Sequence, residues 1–140
     1  MNKIFVKRLT DRSHIPTKSH DSDAGWDLYS SEDVVIQVGD TITISTDIAF
    51  AIPSGYAGLI WDRSSLGSKG IHRHAGVIDA AYRGPVKVCL HNSSGNLYSV
   101  KKGDRIAQVI FQEIKPFELE VVDDLSSTQR GDGGFGSTGK

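Results

Sequence analysis

The chain has 140 residues, which at roughly 150 residues per domain corresponds to one domain. Its 16 lysines and arginines nearly balance 17 aspartates and glutamates, and this excludes the strongly basic face of a general nucleic-acid-binding protein. Apolar residues make up 38% and charged residues 24% of the chain, a globular composition that excludes collagen, coiled coils and membrane spans. Glycine is in excess, with 15 residues, five of them after position 130.

The cysteine content and the first residues bear on the cellular compartment. A single cysteine, Cys89, cannot form an internal disulfide, so folding does not depend on an oxidising environment. Residues 1–9 lack the long apolar stretch and the small-residue cleavage site of a signal peptide. We therefore expect a cytoplasmic protein, with the nucleus or another reducing compartment as alternatives, and neither a membrane nor a nucleic-acid partner.

Apolar and polar residues alternate over several segments, which is typical of half-buried strands. The longest alternation covers 42–52, and turn signals rich in glycine and serine separate the segments. One helical turn is predicted at 65–69, and no longer amphipathic pattern predicts a helix. In chain order, strands are predicted at 4–6, 24–29, 34–38, 42–52, 86–91, 106–111 and 117–121. The pattern predicts an all-β fold, a single-domain jelly-roll-like β-sandwich or barrel.

The composition changes after Leu125. Of the last 15 residues only Phe135 is large and apolar, which is too few to form a core, and such a segment is mobile when free. We therefore expect a β core over 1–125 and a flexible, glycine-rich C-terminal arm over 126–140.

Residues 62–67, Asp-Arg-Ser-Ser-Leu-Gly, place a cation and two hydroxyl groups beside the predicted helical turn. Arg63, together with hydroxyl and backbone donors at such a turn, is suited to binding a phosphate. The alternative is a simple helix start in which Ser64 is the N-terminal cap.

Residues 76–84, Gly-Val-Ile-Asp-Ala-Ala-Tyr-Arg-Gly, are typical of a hairpin. A carboxylate such as Asp79 at the edge of an apolar surface can deprotonate water, because partial burial raises its basicity. The alternative is an aspartate that only supports a turn.

Two other segments carry charged or metal-ligating side chains. Asp27 lies between the aromatic residues Trp26 and Tyr29. Its carboxylate is suited either to holding metal-bound water or to orienting a cation. The alternative is a buried strand in which the aspartate only bonds to a turn. In extended chain, His72 and His74 would lie on one side of a strand, but no third or fourth ligand is near them in the sequence, which disfavours a zinc site.

The glycine-rich end also carries candidate binding groups. Glycines allow backbone N–H groups to converge on phosphate oxygens, and Arg130, Phe135, Ser137 and Thr138 are interspersed among them. The alternative is a disordered terminus.

Taken in order, these segments resemble the five motifs of the trimeric deoxyuridine triphosphatase (dUTPase) family. The matching segments are 24–29, 63–66, 76–84, 103–108 and 130–139. All five occur in the family's order and at its spacing, and the resemblance extends from about Lys3 to the last residues. It implies a dUTPase-like fold and the hydrolysis of deoxyuridine triphosphate (dUTP) to dUMP and pyrophosphate, which limits uracil incorporation into DNA and supplies dUMP for dTTP synthesis.

The third motif is implied to carry the catalytic residue. Asp79 resembles the general base that activates water for in-line attack on the α-phosphorus. Tyr82 is implied to pack on the deoxyribose and to exclude a 2′-hydroxyl group. The backbone of the segment is implied to bind the uracil edge, through residues that include Gly76, Val77 and Ile78.

The first, second and fourth motifs are implied to act on the triphosphate. Arg63, Ser64, Ser65 and Gln108 resemble the residues that bind and polarise the phosphates. A Mg²⁺ ion, bound by triphosphate oxygens and water rather than directly by the protein, is implied to neutralise charge in the transition state. Asp27 is implied to act either through metal-bound water or by fixing an arginine.

The fifth motif is implied to close over the substrate as a lid. Phe135 resembles the residue that stacks on uracil, and Gly136 lies beside it in the motif. Arg130, Ser137 and Thr138 are implied to hold the γ-phosphate. Because family sites are assembled at subunit contacts, the resemblance also implies a homotrimer with shared sites.

Four residues depart from the family pattern, and none of them removes a catalytic group. They are Trp26, Asp62, Ser65 and Asp132. Asp62 stands where proline or glycine is usual, and we expect it either to lower substrate affinity through its charge or to pair with Arg63.

Two other functions remain as alternatives. Deoxycytidine triphosphate (dCTP) deaminase resembles this chain in fold and in the Arg-Ser-Ser-Leu segment, but its catalytic glutamate falls by register on Cys89. Neither Val88 nor Leu90 supplies an acid, which disfavours deamination. A non-catalytic nucleotide-binding protein is the second alternative, and the presence of Asp79 disfavours it.

Overall fold

The computed structural model describes residues 3–135, and this range forms eleven strands and one short helix. The strands are β1 (Phe5–Arg8), β2 (Trp26–Tyr29), β3 (Val34–Ile36), β4 (Thr41–Ser45), β5 (Ile48–Ala51), β6 (Tyr56–Trp61), β7 (Ile71–His74), β8 (Val77–Ile78), β9 (Lys87–Asn92), β10 (Tyr98–Val100) and β11 (Arg105–Glu113). The helix, α1 (Ser64–Gly67), lies between β6 and β7. Within the described range, no helix has the length and apolar character needed to span a bilayer.

The strands pair in antiparallel fashion and form sheets of four, three, two and two strands. The larger sheets have the orders β2-β11-β6-β8 and β4-β9-β7. Because side chains alternate across a strand, β9 buries Val88 and Leu90 while it exposes Lys87. Buried side chains from both larger sheets belong to one hydrophobic cluster, and the all-β fold expected from the sequence is confirmed.

The alternation over 42–52 is divided between two strands, so the prediction of one continuous strand is wrong. β4 ends at Ser45 and pairs with β9, whereas β5 begins at Ile48 and pairs with β1. Between them Asp47 has a φ of 53°, and its carboxylate accepts hydrogen bonds from Thr10 Oγ1 and Ser45 Oγ, both at 2.7 Å. Periodicity does not reveal this turn, because apolar residues continue at alternate positions across it.

Residues 117–121 form no strand, although their alternation predicts one. Phe117, Leu119 and Val121 are 84%, 99% and 99% exposed. No strand in the described part of the chain pairs with this segment, so the single chain contradicts the prediction. An exposed apolar row of this kind is typical of a segment that contacts another molecule.

The helical turn begins one residue earlier than predicted and ends at Gly67. Arg63 occupies the N-cap with extended backbone angles (φ −80°, ψ 135°) and makes no side-chain cap hydrogen bond. Ser64 is therefore the first helical residue and not the cap. The reason is that the backbone is still extended at Arg63, two residues after β6 ends, so the first helical angles occur at Ser64.

Residues 76–84 do not form a hairpin of two paired strands. β8 has only two residues and pairs with β6, and a turn follows in which the Tyr82 N–H donates to the Asp79 carbonyl at 3.0 Å. The returning chain contains Pro85, which has no N–H to donate. The next residue, Val86, donates to the Ile48 carbonyl at 2.8 Å instead, so the return joins a different part of the fold.

Candidate active site

One pocket, of about 420 Å³, is lined by residues from the first, second and fourth motifs. We call it the arginine pocket, and its lining residues are Ser19, Asp23, Ala24, Gly25, Asp27, Arg63, Ser64, Ser65 and Gln108. The strand register explains the grouping, because Gln108 of β11 lies opposite Asp27 on β2 and opposite Trp61 at the end of β6. Three motifs that are distant in sequence therefore meet within one chain.

Asp27 orients two arginines at this pocket. Arg63 Nε donates to Asp27 Oδ1 at 3.1 Å, and Arg105 Nη1 donates to Asp27 Oδ2 at 3.3 Å. Arg63 Nη1 also donates to the Arg105 carbonyl at 3.4 Å. Since both carboxylate oxygens are engaged, this geometry favours the second of the two expected roles of Asp27, the fixing of an arginine.

Arg105 is a candidate that sequence reasoning left without a role. It lies inside the fourth motif, at the start of β11, and shares the Asp27 carboxylate with Arg63. A basic residue within a phosphate-binding motif was a usable signal. Asp23 lines the pocket, whereas Arg105 lies beside it. Asp23 directly precedes Ala24 of the first motif, and this position was the signal that could have found it.

The Gln108 amide has a defined orientation in the arginine pocket. Its Nε2 donates to the Asp62 carbonyl at 2.9 Å, and because a carbonyl can only accept, the amide nitrogen must face Asp62. Its oxygen lies against Gly25, where a Cβ atom would come within 2.1 Å of Gln108 Oε1. Glycine at position 25, directly before β2, therefore leaves the space that the Gln108 amide occupies.

The Asp62 carboxylate faces β7 rather than the arginine pocket. Asp62 Oδ1 accepts a hydrogen bond from the Arg73 backbone N–H at 2.6 Å, and Oδ2 lies 3.8 Å from His72 Nδ1. The expected pairing with Arg63 is wrong, since Arg63 pairs with Asp27. The other expectation was that the charge of Asp62 would lower substrate affinity. A carboxylate that faces β7 is directed away from the arginine pocket, so this expectation also disagrees with the structure.

A second pocket, of about 450 Å³, surrounds β8 and the turn after it. We call it the Asp79 pocket, and its lining residues are Ile60, Gly76, Val77, Ile78, Asp79, Tyr82, Pro85, Val86 and Lys87. Gly76 has a φ of 124°, and a Cβ atom there would lie 2.9 Å from Ile60 Cβ. The Ile60 N–H donates to the Gly76 carbonyl at 2.8 Å. The backbone at Gly76 is therefore held close to β6, and it forms one side of the pocket.

Asp79 and Tyr82 lie in the same pocket but in different settings. Asp79 is exposed, so the partial burial expected from the sequence is not present in the single chain. The Tyr82 hydroxyl donates to the Pro85 carbonyl at 3.1 Å. A Cβ atom on Gly84 would lie 2.4 Å from the Tyr82 hydroxyl oxygen, so glycine at that position leaves room for the ring.

Within residues 3–135 the two pockets share no lining residue. The structure thus groups the predicted site residues into two sets, one around Asp79 and one around Arg63 and Gln108. Cys89, at the position of the deaminase glutamate, lines neither pocket in this range. It lies on β9, opposite Thr43 and His74.

In the described part of the arm, residues 126–135 hydrogen bond only among themselves. Arg130 Nε donates to the Gly133 carbonyl at 3.0 Å, and Phe135 is fully exposed. The predicted contact residues Gly136, Ser137 and Thr138 lie outside the described residues.

Few carboxylates in the arginine pocket are available to a metal ion. Among the described residues, no group of three or more histidine, cysteine, aspartate or glutamate side chains is arranged to hold one. Asp27 is engaged by two arginines, and Asp23 Oδ2 accepts a hydrogen bond from the His20 N–H at 2.9 Å. This donor set fits Mg²⁺ only if substrate oxygens and water supply most of its ligands, as is usual in nucleotide sites.

Comparison with known proteins gives the same assignment at the level of the family and the fold. A family model described as dUTPase matches residues 11–139. The deoxyuridine 5'-triphosphate nucleotidohydrolase of Paramecium bursaria Chlorella virus 1 is 44% identical over 140 residues, with 99% of each chain covered.

Two phage structures are similar to this chain over most of its length. The Staphylococcus bacteriophage 80alpha dUTPase with dUpNHpp has a TM-score of 0.93 and 32% sequence identity, and all of both chains is covered. A mutant dUTPase from phage phi11 of S. aureus, whose structure reveals coordination of a structural Mg(II) ion, has a TM-score of 0.83 and 29% identity, with 90% of this chain and 100% of that chain covered. Together with the family model and the viral relative, these matches show that the chain belongs to the dUTPase family.

Proposed function

We propose that this chain hydrolyses dUTP to dUMP and pyrophosphate in the cytoplasm, with Asp79 as its general base. The observation that carries the proposal is the pair of pockets. One offers an exposed carboxylate, a backbone edge and an aromatic ring, and the other offers an oriented guanidinium, two hydroxyl groups and an amide. The first set suits a base and a sugar, and the second suits phosphates. This activity would limit uracil incorporation into DNA and supply dUMP for dTTP synthesis.

Asp79 performs the proton transfer. Its carboxylate takes a proton from a water molecule as the water oxygen attacks the α-phosphorus, in line with the oxygen that bridges to the β-phosphorus. A bond forms between phosphorus and the water oxygen, and the bond to the bridging oxygen breaks. One dUTP and one water therefore give dUMP, pyrophosphate and one released proton.

The arginine pocket binds the triphosphate. Asp27 holds the Arg63 guanidinium in one orientation, which lowers the entropic cost of aligning its remaining N–H groups with phosphate oxygens. The exposed Ser64 and Ser65 add hydroxyl donors at the start of α1. Gln108 adds the amide hydrogen that Asp62 does not use.

The Asp79 pocket selects the nucleoside. Gly76, Val77 and Ile78 line the pocket, and the backbone N–H and C=O groups of this segment that do not pair with β6 bind the uracil edge. The Tyr82 ring packs against the deoxyribose and leaves no room for a 2′-hydroxyl group. Direct backbone contacts discriminate between bases, because a base with a different pattern of donors and acceptors would leave polar groups of the pocket without hydrogen-bond partners.

Mg²⁺ is the metal that best suits this donor set. When bound to the triphosphate, it would neutralise charge that develops on the phosphate oxygens during hydrolysis. The chain contributes indirectly, through the orientation that Asp27 gives to Arg63 and Arg105.

The complete site forms between subunits of a homotrimer. The Asp79 pocket of one subunit faces the arginine pocket of another, so three sites are shared among three chains. The separation of the two pockets within one chain supports this arrangement, as does the exposed apolar row of 117–121. A further apolar pocket of about 450 Å³, lined in part by Phe5, Ile15 and Trp26, gives the chain additional surface for such a contact.

The core over 1–125 carries both pockets, and the arm over 126–140 acts as the lid. In the closed lid, Phe135 stacks on uracil, with Gly136 allowing close approach of the chain. Arg130, Ser137 and Thr138 hold the γ-phosphate. Closure excludes bulk water from the site and completes the phosphate contacts.

Incubation of the protein with dUTP and Mg²⁺, followed by nucleotide chromatography and a phosphate assay, tests the proposed reaction. We expect dUMP and pyrophosphate in equal amounts. Release of ammonia from dCTP would indicate a deaminase instead, and tight binding of dUTP without turnover would indicate a non-catalytic nucleotide-binding protein.

A further inference from the structure

A carboxylate at the end of β6 bonds to the free edge of another strand. Asp62 lies directly between β6 and Arg63, and its side chain is 34% exposed. β7 is an edge strand that pairs on one side with β9. On its other side the Arg73 N–H donates to Asp62 Oδ1 at 2.6 Å, so the carboxylate takes the place of a missing strand partner.

The carbonyl of the same residue bonds to the arginine pocket. It accepts the hydrogen bond from Gln108 Nε2 at 2.9 Å and is the group that determines which way the amide faces. Asp62 is therefore bonded through its side chain to β7 and through its backbone to Gln108. The next residue is Arg63, whose guanidinium lines the pocket.

Loss of the side-chain bond would act on the pocket through the backbone. Without an acceptor at position 62, the Arg73 N–H would lose its partner. The link between β6 and α1 would then be held to β7 mainly by the Arg73 guanidinium, which lies over the Trp61 ring at the end of β6. The carbonyl at position 62 would then be less well placed for Gln108, and the backbone direction at Arg63 would be less well defined. Both effects weaken groups that bind phosphate.

We propose that Asp62 is a positioning residue for phosphate binding, which anchors the chain to β7 and thereby places the Gln108 amide and Arg63. The inference rests on the proposed function, because it takes these two side chains to be phosphate ligands. Asp62 itself faces β7 and does not contact the substrate. The chain thus uses a carboxylate at a position where the resembled family usually has proline or glycine.

Four variants separate this role from a general effect on stability. Asp62→Ala and Asp62→Gly remove the acceptor, and glycine is a residue type that the family commonly has at this position. Asp62→Asn keeps an oxygen acceptor for the Arg73 N–H but removes the charge. His72→Ala is the matched control, because its 3.8 Å separation from Asp62 Oδ2 is too long for a hydrogen bond.

Steady-state kinetics with dUTP give the first readout. For Asp62→Ala and Asp62→Gly we expect KM to rise about tenfold and kcat to stay within about twofold, because phosphate contacts are made in both the ground state and the transition state. Asp62→Asn and His72→Ala should retain the wild-type KM. A variant that merely folds less well would lower the concentration of active enzyme, and so lower kcat without changing KM.

Amide hydrogen exchange gives a second readout that does not depend on activity. We expect the Arg73 amide to exchange faster in Asp62→Ala than in wild type, and at the wild-type rate in Asp62→Asn. Loss of protection at Arg73 with an unchanged KM would overturn the proposal. So would an Asp62→Asn variant as impaired in KM as Asp62→Ala, since charge rather than the hydrogen bond would then be responsible.

The same variants distinguish failure of this inference from failure of the proposed function. If wild-type protein does not turn over dUTP, the proposed reaction is wrong. The dissociation constant of dUTP, measured by calorimetry, then replaces KM as the readout. An increase of about tenfold in Asp62→Ala would still support positioning by Asp62, whereas equal affinities would contradict it.

Discussion

Three glycines allow side chains and backbone to come close together at the two pockets. Gly25 makes room for the Gln108 amide, Gly84 makes room for the Tyr82 ring, and Gly76 lies against Ile60. In each case the structure places a heavy atom within 3.0 Å of where a Cβ atom would be. At this scale, glycine sets the shape of the two pockets.

Replacement of Gly76 should destabilise the protein more than replacement of a glycine in open space. Gly76→Ala places a Cβ atom 2.9 Å from Ile60 Cβ at a φ of 124°, and we expect a loss of about 2–4 kcal/mol in the free energy of unfolding. Urea denaturation measures it. Gly95→Ala is the control, because nothing lies within 4 Å of its Cβ position. Equal losses in the two variants would contradict this account of Gly76.

Asp47 should make stability depend on pH. Hydrogen bonds from Ser45 and Thr10, together with the charge of Arg12, lower the pKa of Asp47 below its ordinary value of 3.8, although burial acts in the opposite direction. Because the folded pKa is the lower one, this stabilisation is present above pH 3.8 and is lost as pH falls through the folded pKa.

The variant Asp47→Asn tests that dependence, since asparagine also tolerates the positive φ of this turn. At pH 6 we expect the midpoint of its urea unfolding to lie at a lower urea concentration than that of wild type. The difference between the two midpoints should become smaller as the pH falls towards 3. The exposed Asp21→Asn is the control. A difference for Asp47→Asn that stays constant with pH would show that the charge of Asp47 contributes nothing.

At the scale of elements, we expect that the arm can be removed without unfolding the core. The hydrogen bonds of residues 126–135 lie within that described segment, so the core does not rely on them. Deletion of 126–140 should therefore leave the unfolding transition unchanged. The deletion should reduce kcat/KM for dUTP by about a hundredfold, because the lid would no longer complete the site.

Circular dichroism and steady-state kinetics check this prediction together. An unfolded truncated protein would show that the arm is structural, and full activity would show that no lid is needed. A shorter deletion, of residue 140 alone, provides a matched control that leaves all five motif segments intact.

The sequence predicted most strands but not where strands change partners. Alternation located the segments around Ile44 and Phe50, yet the turn at Asp47 depends on Thr10, which is far away in sequence. Residues 117–121 do alternate, but no described strand pairs with them, because pairing requires the free edge of another strand, which alternation does not report. Local patterns report which face of a segment is apolar, and only tertiary contacts determine what covers that face.

The candidate site was predictable at the level of motifs and not at the level of contacts. The residue types around Arg63 and Asp79 are compatible with phosphate binding and proton transfer, but a helix start and a turn-supporting aspartate explained them equally well until all five motifs were taken together. The orientation of Asp62 towards Arg73, and the shared use of Asp27 by Arg105, required the strand register. Side-chain direction at a strand end depends on neighbouring strands, which sequence spacing does not reveal.

At the scale of the whole molecule, the central feature is the division of the site residues between two pockets. A single chain would leave Asp79 and Arg63 in separate cavities, whereas a cyclic trimer can bring one pocket of each subunit to the other pocket of its neighbour. In the trimer that we propose, catalysis would therefore depend on assembly.

Subunit complementation tests the shared sites. Asp79→Asn and Arg63→Ala should each be almost inactive alone. When the two are unfolded together, mixed and refolded, random assembly should place both wild-type residues in about a quarter of the sites. We expect activity to return to roughly that fraction of wild type, measured as pyrophosphate release. No recovery in verified mixed trimers would mean that each site lies within one chain.

The most direct test of the account is the turnover of dUTP by Asp79→Asn. This change keeps the size of the side chain and one oxygen acceptor, but it replaces the other oxygen by an NH2 donor and removes the ability to accept the proton from water. We predict that kcat falls by about 10²- to 10⁴-fold, while the dissociation constant of dUTP, measured by calorimetry, stays close to the wild-type value. Wild-type turnover in Asp79→Asn would contradict the central claim that this carboxylate activates the attacking water.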